Sequence, residues 1–176
     1  MYERTMGESF DRLAPELQQF HRLAGKHTMH GRVEVHAPKS ALAKLLALFL
    51  GTPRTATEGP IKFELDAQPA VETWTRYFPS KTMTSRLQLI DGQLVEKLGA
   101  ARLVFKLSES DGRLNMHLYR LHFIGVPCPT WLMPRVVAEE TGGGGRLHFC
   151  VRADVPWVGL VASYRGYLSL SNGATA

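Results

Sequence analysis

The sequence is poor in the features that define several large classes of protein. Its 176 residues include only two cysteines, Cys128 and Cys150, which lie far apart and form no C-x-x-C motif. This spacing argues against a disulfide scaffold and against a structural zinc site. The N-terminal residues lack the basic and apolar regions of a signal peptide, so we expect a cytoplasmic protein with reduced thiols.

Long apolar runs and clusters of positive charge are also missing. The most apolar stretch, Ala41 to Leu50, is too short to cross a bilayer as a helix. The net charge is +5, but the lysines and arginines are scattered along the chain. We therefore expect no transmembrane segment and no nucleic-acid partner, while peripheral contact of the apolar stretch with a membrane stays open.

Cofactor and catalytic motifs are absent as well. The glycine run from Gly142 to Gly145 precedes a strand pattern and not a helix, so it predicts a flexible hairpin and not a phosphate loop. His27, His30 and His36 have no cysteine and only the single carboxylate Glu34 nearby in the sequence, and no order of serine, histidine and aspartate suggests a triad. The expectation is a protein without a bound metal or cofactor.

Composition and periodicity predict one mainly β domain. A hydrophobic share of 44% and a charged share of 21% are typical of a globular protein, and the length fits a single domain over residues 1–170 with a frayed tail at 171–176. From residue 60 onwards apolar and polar residues alternate, and Asp91-Gly92 and Asp111-Gly112 are hairpin turns. Short turns join antiparallel neighbours. The predicted fold is α+β, mainly β: a curved meander of about eight to ten strands that closes into a full or partial barrel.

Helices precede and cover this predicted barrel. Apolar residues recur at helical spacing in the first thirty residues, where Gly25 marks a stop, and the first strand is predicted from Arg32. Ser40 is a candidate N-cap and Gly51 a candidate C-cap for a helix over Ala41 to Leu50. That helix is apolar on nearly every side, which favours burial against the sheet. A lid over a pocket and a membrane-contacting helix are the alternatives.

Three predicted strands carry candidate pocket residues. Alternation places Glu72 and Arg76 on the same face as Trp74, where the two charges either pair with each other or orient a polar group of a ligand. His117 and Tyr119 are predicted on the cavity side of their strand, because both combine a large ring with a polar tip. Tyr164 shares a face with small and apolar residues and is also predicted to point inwards.

The segment from Gly125 to Pro134 interrupts the strand pattern. It contains three prolines, which a central strand cannot accommodate, together with Trp131 and other apolar residues. An apolar connection of this kind has to cover something, so we predict a rim or cap at one end of the barrel and count Trp131 among the ligand-binding candidates.

Four motifs extend over most of the chain. They are Tyr2-Glu-Arg…Gly7…Phe10-Asp-Arg-Leu13…Pro15…Leu17…His21, Glu72-Thr-Trp-Thr-Arg-Tyr-Phe78, Gly125-Val-Pro…Pro129…Trp131-Leu-Met-Pro-Arg135 and Val158-Gly-Leu…Tyr164-Arg-Gly-Tyr-Leu168. In this order they resemble the bacterial family called domain of unknown function 4166. Cys128 departs from the resemblance, since related sequences tend to carry an aliphatic residue there. Members look like stand-alone proteins or appendages of NAD(P)-dependent dehydrogenase-like or epimerase-like enzymes, which implies an accessory role.

Three functions remain open from the sequence. The leading hypothesis is that a small, mostly apolar molecule binds inside the barrel, against Glu72, Trp74, Arg76, His117, Tyr119, Trp131 and Tyr164. The second is a cofactor-independent isomerase or cyclase in the same cavity, with His117 or Glu72 as base and Arg76 or Tyr119 stabilising negative charge. The third is an interaction module that docks on an NAD(P)-dependent enzyme through the apolar loop.

Overall fold

The chain folds into a closed antiparallel β-barrel of ten strands with one short additional strand, which confirms the predicted fold class. The computed structural model describes residues 1–170. The frayed tail expected at 171–176 lies outside the described residues.

The described residues contain helices at the start of the chain, between the first two strands and in the segment before β9. The α-helices are α1 (Tyr2–Met6), α2 (Pro15–His21) and α3 (Ala41–Leu50), and 3₁₀ helices span Gly7–Arg12 and Thr130–Leu132. The strands are β1 (Gly25–Val35), β2 (Thr57–Gln68), β3 (Val71–Phe78), β4 (Lys81–Ile90), β5 (Gln93–Leu98), β6 (Ala101–Ser110), β7 (Arg113–Phe123), β8 (Val126–Pro127), β9 (Arg135–Gly143), β10 (Arg146–Val155) and β11 (Gly159–Ser169). No helix in residues 1–170 is both long enough and apolar enough to cross a membrane.

Hairpins build most of the barrel wall. Consecutive strands pair from β1 to β7, and β11 lies between β1 and β10. The residues of Asp91-Gly92 and of Asp111-Gly112 all have positive φ, as type I′ turns require, so both predicted hairpins are confirmed. The closing ladder is short: β7 meets β9 at Leu114–Glu140 and Asn115–Glu139. Beyond these pairs the wall opens, and β8 lies against β7 there.

The N-terminal helices plug one end of the barrel, which we call the closed end. Tyr2, Phe10, Leu17 and Phe20 are almost fully buried in the same core as the inward side chains of the strands. The backbone N–H of Ala14 donates to the Gly112 carbonyl oxygen (2.8 Å), which ties the plug to the β6–β7 turn. Burial of these large apolar side chains supplies much of the stability at this end.

Helix α3 covers the other end, which we call the open end. The Ser40 hydroxyl accepts a hydrogen bond from the Ala43 N–H (3.1 Å), and Gly51 ends the helix in the left-handed conformation, so both predicted caps are confirmed. The expectation of a helix buried against the sheet holds only for its alanine side. Ala43 and Ala47 pack on Val161 with Leu46 and Leu50 partly buried beside them, whereas Leu42, Leu45 and Leu48 are exposed.

The first strand begins earlier than the sequence predicted. Helix α2 ends at His21, and β1 begins at Gly25 and not at Arg32. Gly31 lies inside this strand, where a side chain would overlap the Tyr167 carbonyl oxygen of β11. Hence Gly31 permits a close approach of two strands and is not a turn residue.

Candidate functional site

The barrel encloses a cavity of about 240 Å³ between the plug and the open end. Most of its surface is apolar, with inward side chains from nearly every strand and contributions from α3 and the segment before β9. Phe63, Leu87, Leu103, Phe105, Leu121 and Phe149 belong to this lining. A ligand here would be surrounded by the barrel wall and would face the open end.

A few polar groups interrupt this lining. The Arg76 guanidinium donates to the Ser85 hydroxyl (3.1 Å) and lies 5.0 Å from the ring centroid of Trp74. Within residues 1–170, Arg76 forms no salt bridge, and Glu96, which also lines the cavity, has no hydrogen-bonding side-chain partner. A cation and a carboxylate are therefore both available to a bound molecule.

Tyr164 adds a neutral polar tip. Its ring packs against Phe78 and Phe149, with centroids 5.3 and 6.2 Å away. Burial is the main cause that raises the pKa of the Tyr164 hydroxyl above its usual value. The hydroxyl therefore stays protonated at neutral pH and can donate a hydrogen bond to a ligand.

Glu72 and Trp74 lie on the inner face, as their alternation predicted. The Trp74 indole N–H donates to the Glu72 carboxylate (3.0 Å), and both side chains are buried. Among the described residues, Glu72 and Arg76 form no ion pair with each other. Trp74 and Arg76 line the cavity, whereas Glu72 is buried outside that lining.

The structure does not bring His117 and Tyr119 to the cavity. His117 is exposed on the outer wall, where its ring Nε2 lies 2.7 Å from the Ser108 hydroxyl. Tyr119 is also outside, with Lys106 over its ring. The cause is a bulge: Val104 pairs with Arg120 but Phe105 pairs with Leu118, so the inward positions change parity across Tyr119.

The segment between β7 and β9 lies at the open end, at the rim that the sequence predicted. It does not place Trp131 in the cavity: this ring is 64% exposed and packs 5.7 Å from the ring of Trp157. Leu132 and Pro134 line the cavity in its place. The N–H of Cys128 donates to the Leu121 carbonyl oxygen (2.8 Å), which holds the segment against β7.

A buried polar cluster forms the closed-end side of the site. His21 Nε2 lies 2.7 Å from the Glu140 carboxylate, and the side chain of His21 is fully buried. The Tyr2 ring lies 3.8 Å from the His21 ring, and burial is the main cause that raises the pKa of the Tyr2 hydroxyl well above its usual value. Because Glu140 also lines the cavity, this cluster joins the plug to the binding space.

Cys128 offers a chemical probe of the open end. Burial raises the pKa of its thiol, whereas Cys150 is exposed on β10. We expect Cys128 to react severalfold more slowly than Cys150 with an aromatic disulfide reagent at neutral pH, because the thiolate is the reacting form. Absorbance kinetics on the single variants Cys150→Ser and Cys128→Ser measure the two rates, and equal rates would contradict the burial of Cys128.

Three glutamates that line the cavity, Glu96, Glu139 and Glu140, were not identified from the sequence. Leu94, Glu96 and Leu98 share one face of β5, so alternation alone could have placed Glu96 inside. The adjacent pair Glu139-Glu140 gave no such indication, because alternation puts one of any two neighbours inside without saying which. In the described part of the chain, no group of three His, Cys, Asp or Glu residues could hold a metal ion.

Comparison with known proteins gives a family and a fold. A family model described as "Domain of unknown function (DUF4166)" matches residues 13–168. The crystal structure of Rv2717c from M. tuberculosis is similar with a TM-score of 0.50, covering 89% of this chain and 98% of that one at 15% identity. At this identity the likeness concerns the fold alone. No curated protein matches the sequence.

Proposed function

This chain belongs to the DUF4166 family, and from that premise we propose that it binds a small, mostly apolar molecule inside its barrel. The observation that carries the proposal is the cavity of about 240 Å³ inside the barrel with its apolar lining. Ligand pockets are commonly about 300–1,000 Å³ and mostly apolar, with a few placed polar groups. The size therefore suits one compact molecule.

The polar groups of the cavity define how such a molecule is oriented. Arg76 and Tyr164 can donate hydrogen bonds, and Glu96 can accept them. An apolar body with one oxygen-bearing end matches this arrangement, because the polar end meets Arg76 while the remainder displaces water from apolar walls. A carrier of this kind is also compatible with the accessory role beside an NAD(P)-dependent enzyme that the family resemblance implies.

Two observations favour binding over catalysis as the proposal. His117, the histidine proposed as a base, is on the outer wall and hydrogen-bonds Ser108. The other proposed base, Glu72, accepts the Trp74 indole N–H. A general base has to reach the proton that it removes. An isomerase or cyclase in this cavity would have to use Glu96 or Glu140 in their place.

Mass spectrometry and two fluorescent probes test the proposal. Native mass spectra of protein purified from cells should contain a co-purifying molecule of low mass. In solution, anilinonaphthalene sulfonate supplies an apolar anion and Nile red a neutral probe. Arg76→Met should weaken binding of the anionic probe about tenfold, because it removes a charge-assisted hydrogen bond, and should change Nile red binding less than about threefold.

Arg86→Met is the matched control, because Arg86 lies on the exposed outer face of the neighbouring strand β4. It should bind both probes as the unmodified chain does. Equal losses in the Arg76 and Arg86 variants, or no bound molecule and no probe binding at all, would remove the proposed function.

A further inference from the structure

The large apolar side chains that the structure leaves exposed concentrate at the open end of the barrel. We define the open-end face by the following residues: Leu42, Leu45, Leu48, Phe49, Ile124, Val126, Trp131 and Trp157. Trp157 is 83% exposed and Trp131 is 64% exposed. Solitary exposed apolar residues need no explanation, but a contiguous group of this kind marks a surface that meets another apolar phase or a partner.

Direct contacts hold the parts of this face together. The Trp131 and Trp157 rings lie 5.7 Å apart, and Phe49 packs edge-on against Phe123 at 6.1 Å. The Ser40 hydroxyl donates to the Val158 carbonyl oxygen (2.9 Å), which joins the start of α3 to the β10–β11 turn. The open-end face is therefore one fixed surface made from three separate segments of the chain.

Helix α3 turns several of its largest side chains away from the protein. Ala43 and Ala47 are buried and Leu46 and Leu50 are partly buried, while Leu42, Leu45 and Leu48 are each about half exposed. A helix that packs only for stability buries its leucines and exposes its small residues. The inverse arrangement is expected when the leucines enter an apolar phase outside the protein.

The charges around this face have one sign. The segments 36–57, 120–138 and 155–165 contain no aspartate or glutamate, and Lys39, Lys44, Arg54 and Arg135 are exposed in them. The exposed carboxylate that follows the first of these segments, Glu58, lies 3.6 Å from the Arg32 guanidinium. The closed end carries exposed carboxylates, including Glu3 and Asp111, together with exposed cations such as Arg4 and Lys26. The open end is thus apolar and basic, whereas the closed end carries exposed charges of both signs.

We propose that the open-end face docks on the surface of an anionic lipid bilayer. Exposed tryptophans favour the boundary between water and hydrocarbon, and a basic amphipathic helix lies in that boundary with its apolar side buried. Stable attachment needs two signals, and this face supplies both apolar side chains and cations. Each cation near an anionic surface strengthens binding about fivefold. This charge complementarity favours anionic lipid as the occupant over an uncharged surface or a second copy of the basic face.

The face is continuous with the cavity. Leu46 and Leu50 of α3, together with Leu132 and Pro134, line the cavity from beside the exposed residues. Docking therefore directs the open end of the barrel at the acyl chains. The inference itself does not require a cavity ligand, because only the exposed side chains and cations meet the bilayer.

Vesicle sedimentation tests the proposal on the full chain. Phosphatidylcholine vesicles are compared with vesicles in which about a third of the lipid is phosphatidylglycerol, at low ionic strength. The anionic vesicles should bind at least about tenfold more protein, and about 1 M NaCl should remove most of the difference because it screens the cations. Emission from the exposed tryptophans should shift to the blue on binding, as both rings leave water.

Variants locate the contact. Trp131→Ser with Trp157→Ser should weaken binding to anionic vesicles about tenfold and abolish the blue shift, since only buried Trp74 remains. Lys39→Glu with Lys44→Glu should remove the preference for anionic lipid. Lys26→Glu, an exposed charge change near the closed end, is the control and should alter binding less than about twofold.

Three results would overturn the proposal. They are no sedimentation with either vesicle, equal sedimentation with both, or a loss of vesicle binding in the Lys26→Glu control as large as that in the Lys39→Glu, Lys44→Glu variant. A dimer in sedimentation velocity that the tryptophan changes dissolve would assign the face to a second copy instead. If the chain binds anionic vesicles but neither fluorescent probe, membrane docking stands and the proposed function falls. If it binds the probes but no vesicles, the proposed function stands and membrane docking falls.

Discussion

Replacement of His21 by leucine is expected to lower the free energy of unfolding by about 3–5 kcal/mol. The His21 side chain is fully buried, and its Nε2 lies 2.7 Å from the Glu140 carboxylate, which is itself almost buried. Leucine can fill part of the ring's space but cannot donate a hydrogen bond. The change therefore leaves a buried carboxylate without its partner, and this desolvated group carries most of the cost.

Urea unfolding of three variants separates the contribution of the His21–Glu140 hydrogen bond to stability from that of the packing of the His21 ring. His21→Leu combined with Glu140→Leu should recover a large part of the loss, because the uncompensated carboxylate is removed with the histidine. His30→Leu is the control, since His30 is an exposed histidine of β1, and it should change stability by less than about 0.5 kcal/mol. If the double variant were as unstable as the single one, packing of the His21 ring against Tyr2 and Phe20 would account for most of the lost stability.

The His21–Glu140 hydrogen bond also connects the N-terminal plug to the wall of the binding cavity. His21 belongs to α2, and Glu140 belongs to β9 at the point where that strand meets β7. The hydrogen bond therefore fixes the plug to the part of the wall where the ladder is shortest. Loss of this contact would open the closed end and the cavity together, so stability and ligand binding are expected to fall in the same variant.

Local chemistry made much of the fold predictable from the sequence. Asp-Gly pairs specify type I′ turns because aspartate tolerates and glycine readily adopts positive φ, and the two predicted hairpins occur where these pairs stand. Ser40 and Gly51 act at the ends of α3 for equally local reasons. The inward direction of Trp74 and Arg76 followed from alternation along the unbroken strand β3, and that of Tyr164 from alternation along the part of β11 that follows the register shift at Val161.

Long-range effects account for the parts that the sequence did not predict. The bulge at Tyr119 changes which residues of β7 face inwards, and no local signal marks it, so strict alternation brought His117 and Tyr119 to the wrong side. In β1 the inward positions His27 and Gly31 concealed the alternation, because Gly31 is required by the approach of β11. Helix α3 is apolar on nearly every side, so its sequence could not show which side is covered.

The second large effect is expected for Ala138→Phe, which should abolish binding of both fluorescent probes. Ala138 is a small, buried residue of β9 that lines the cavity beside Val151, its pairing partner on β10. A phenyl ring at this position occupies space that a ligand would need. Probe affinity should fall by at least about 100-fold, a loss of about 2.7 kcal/mol of binding free energy.

The same substitution should leave the fold almost as stable as before. An added ring is costly where the core is already close-packed, but here it enters existing space and gains apolar contacts, so the expected change is less than about 1 kcal/mol. Val137→Phe is the matched control, because this neighbouring residue is 44% exposed on the outer face of the same strand. It should keep full probe affinity. Retained binding in the Ala138 variant would place the probes on the open-end face and not inside the barrel, whereas loss of folding in that variant alone would mean that the interior is packed and holds no ligand.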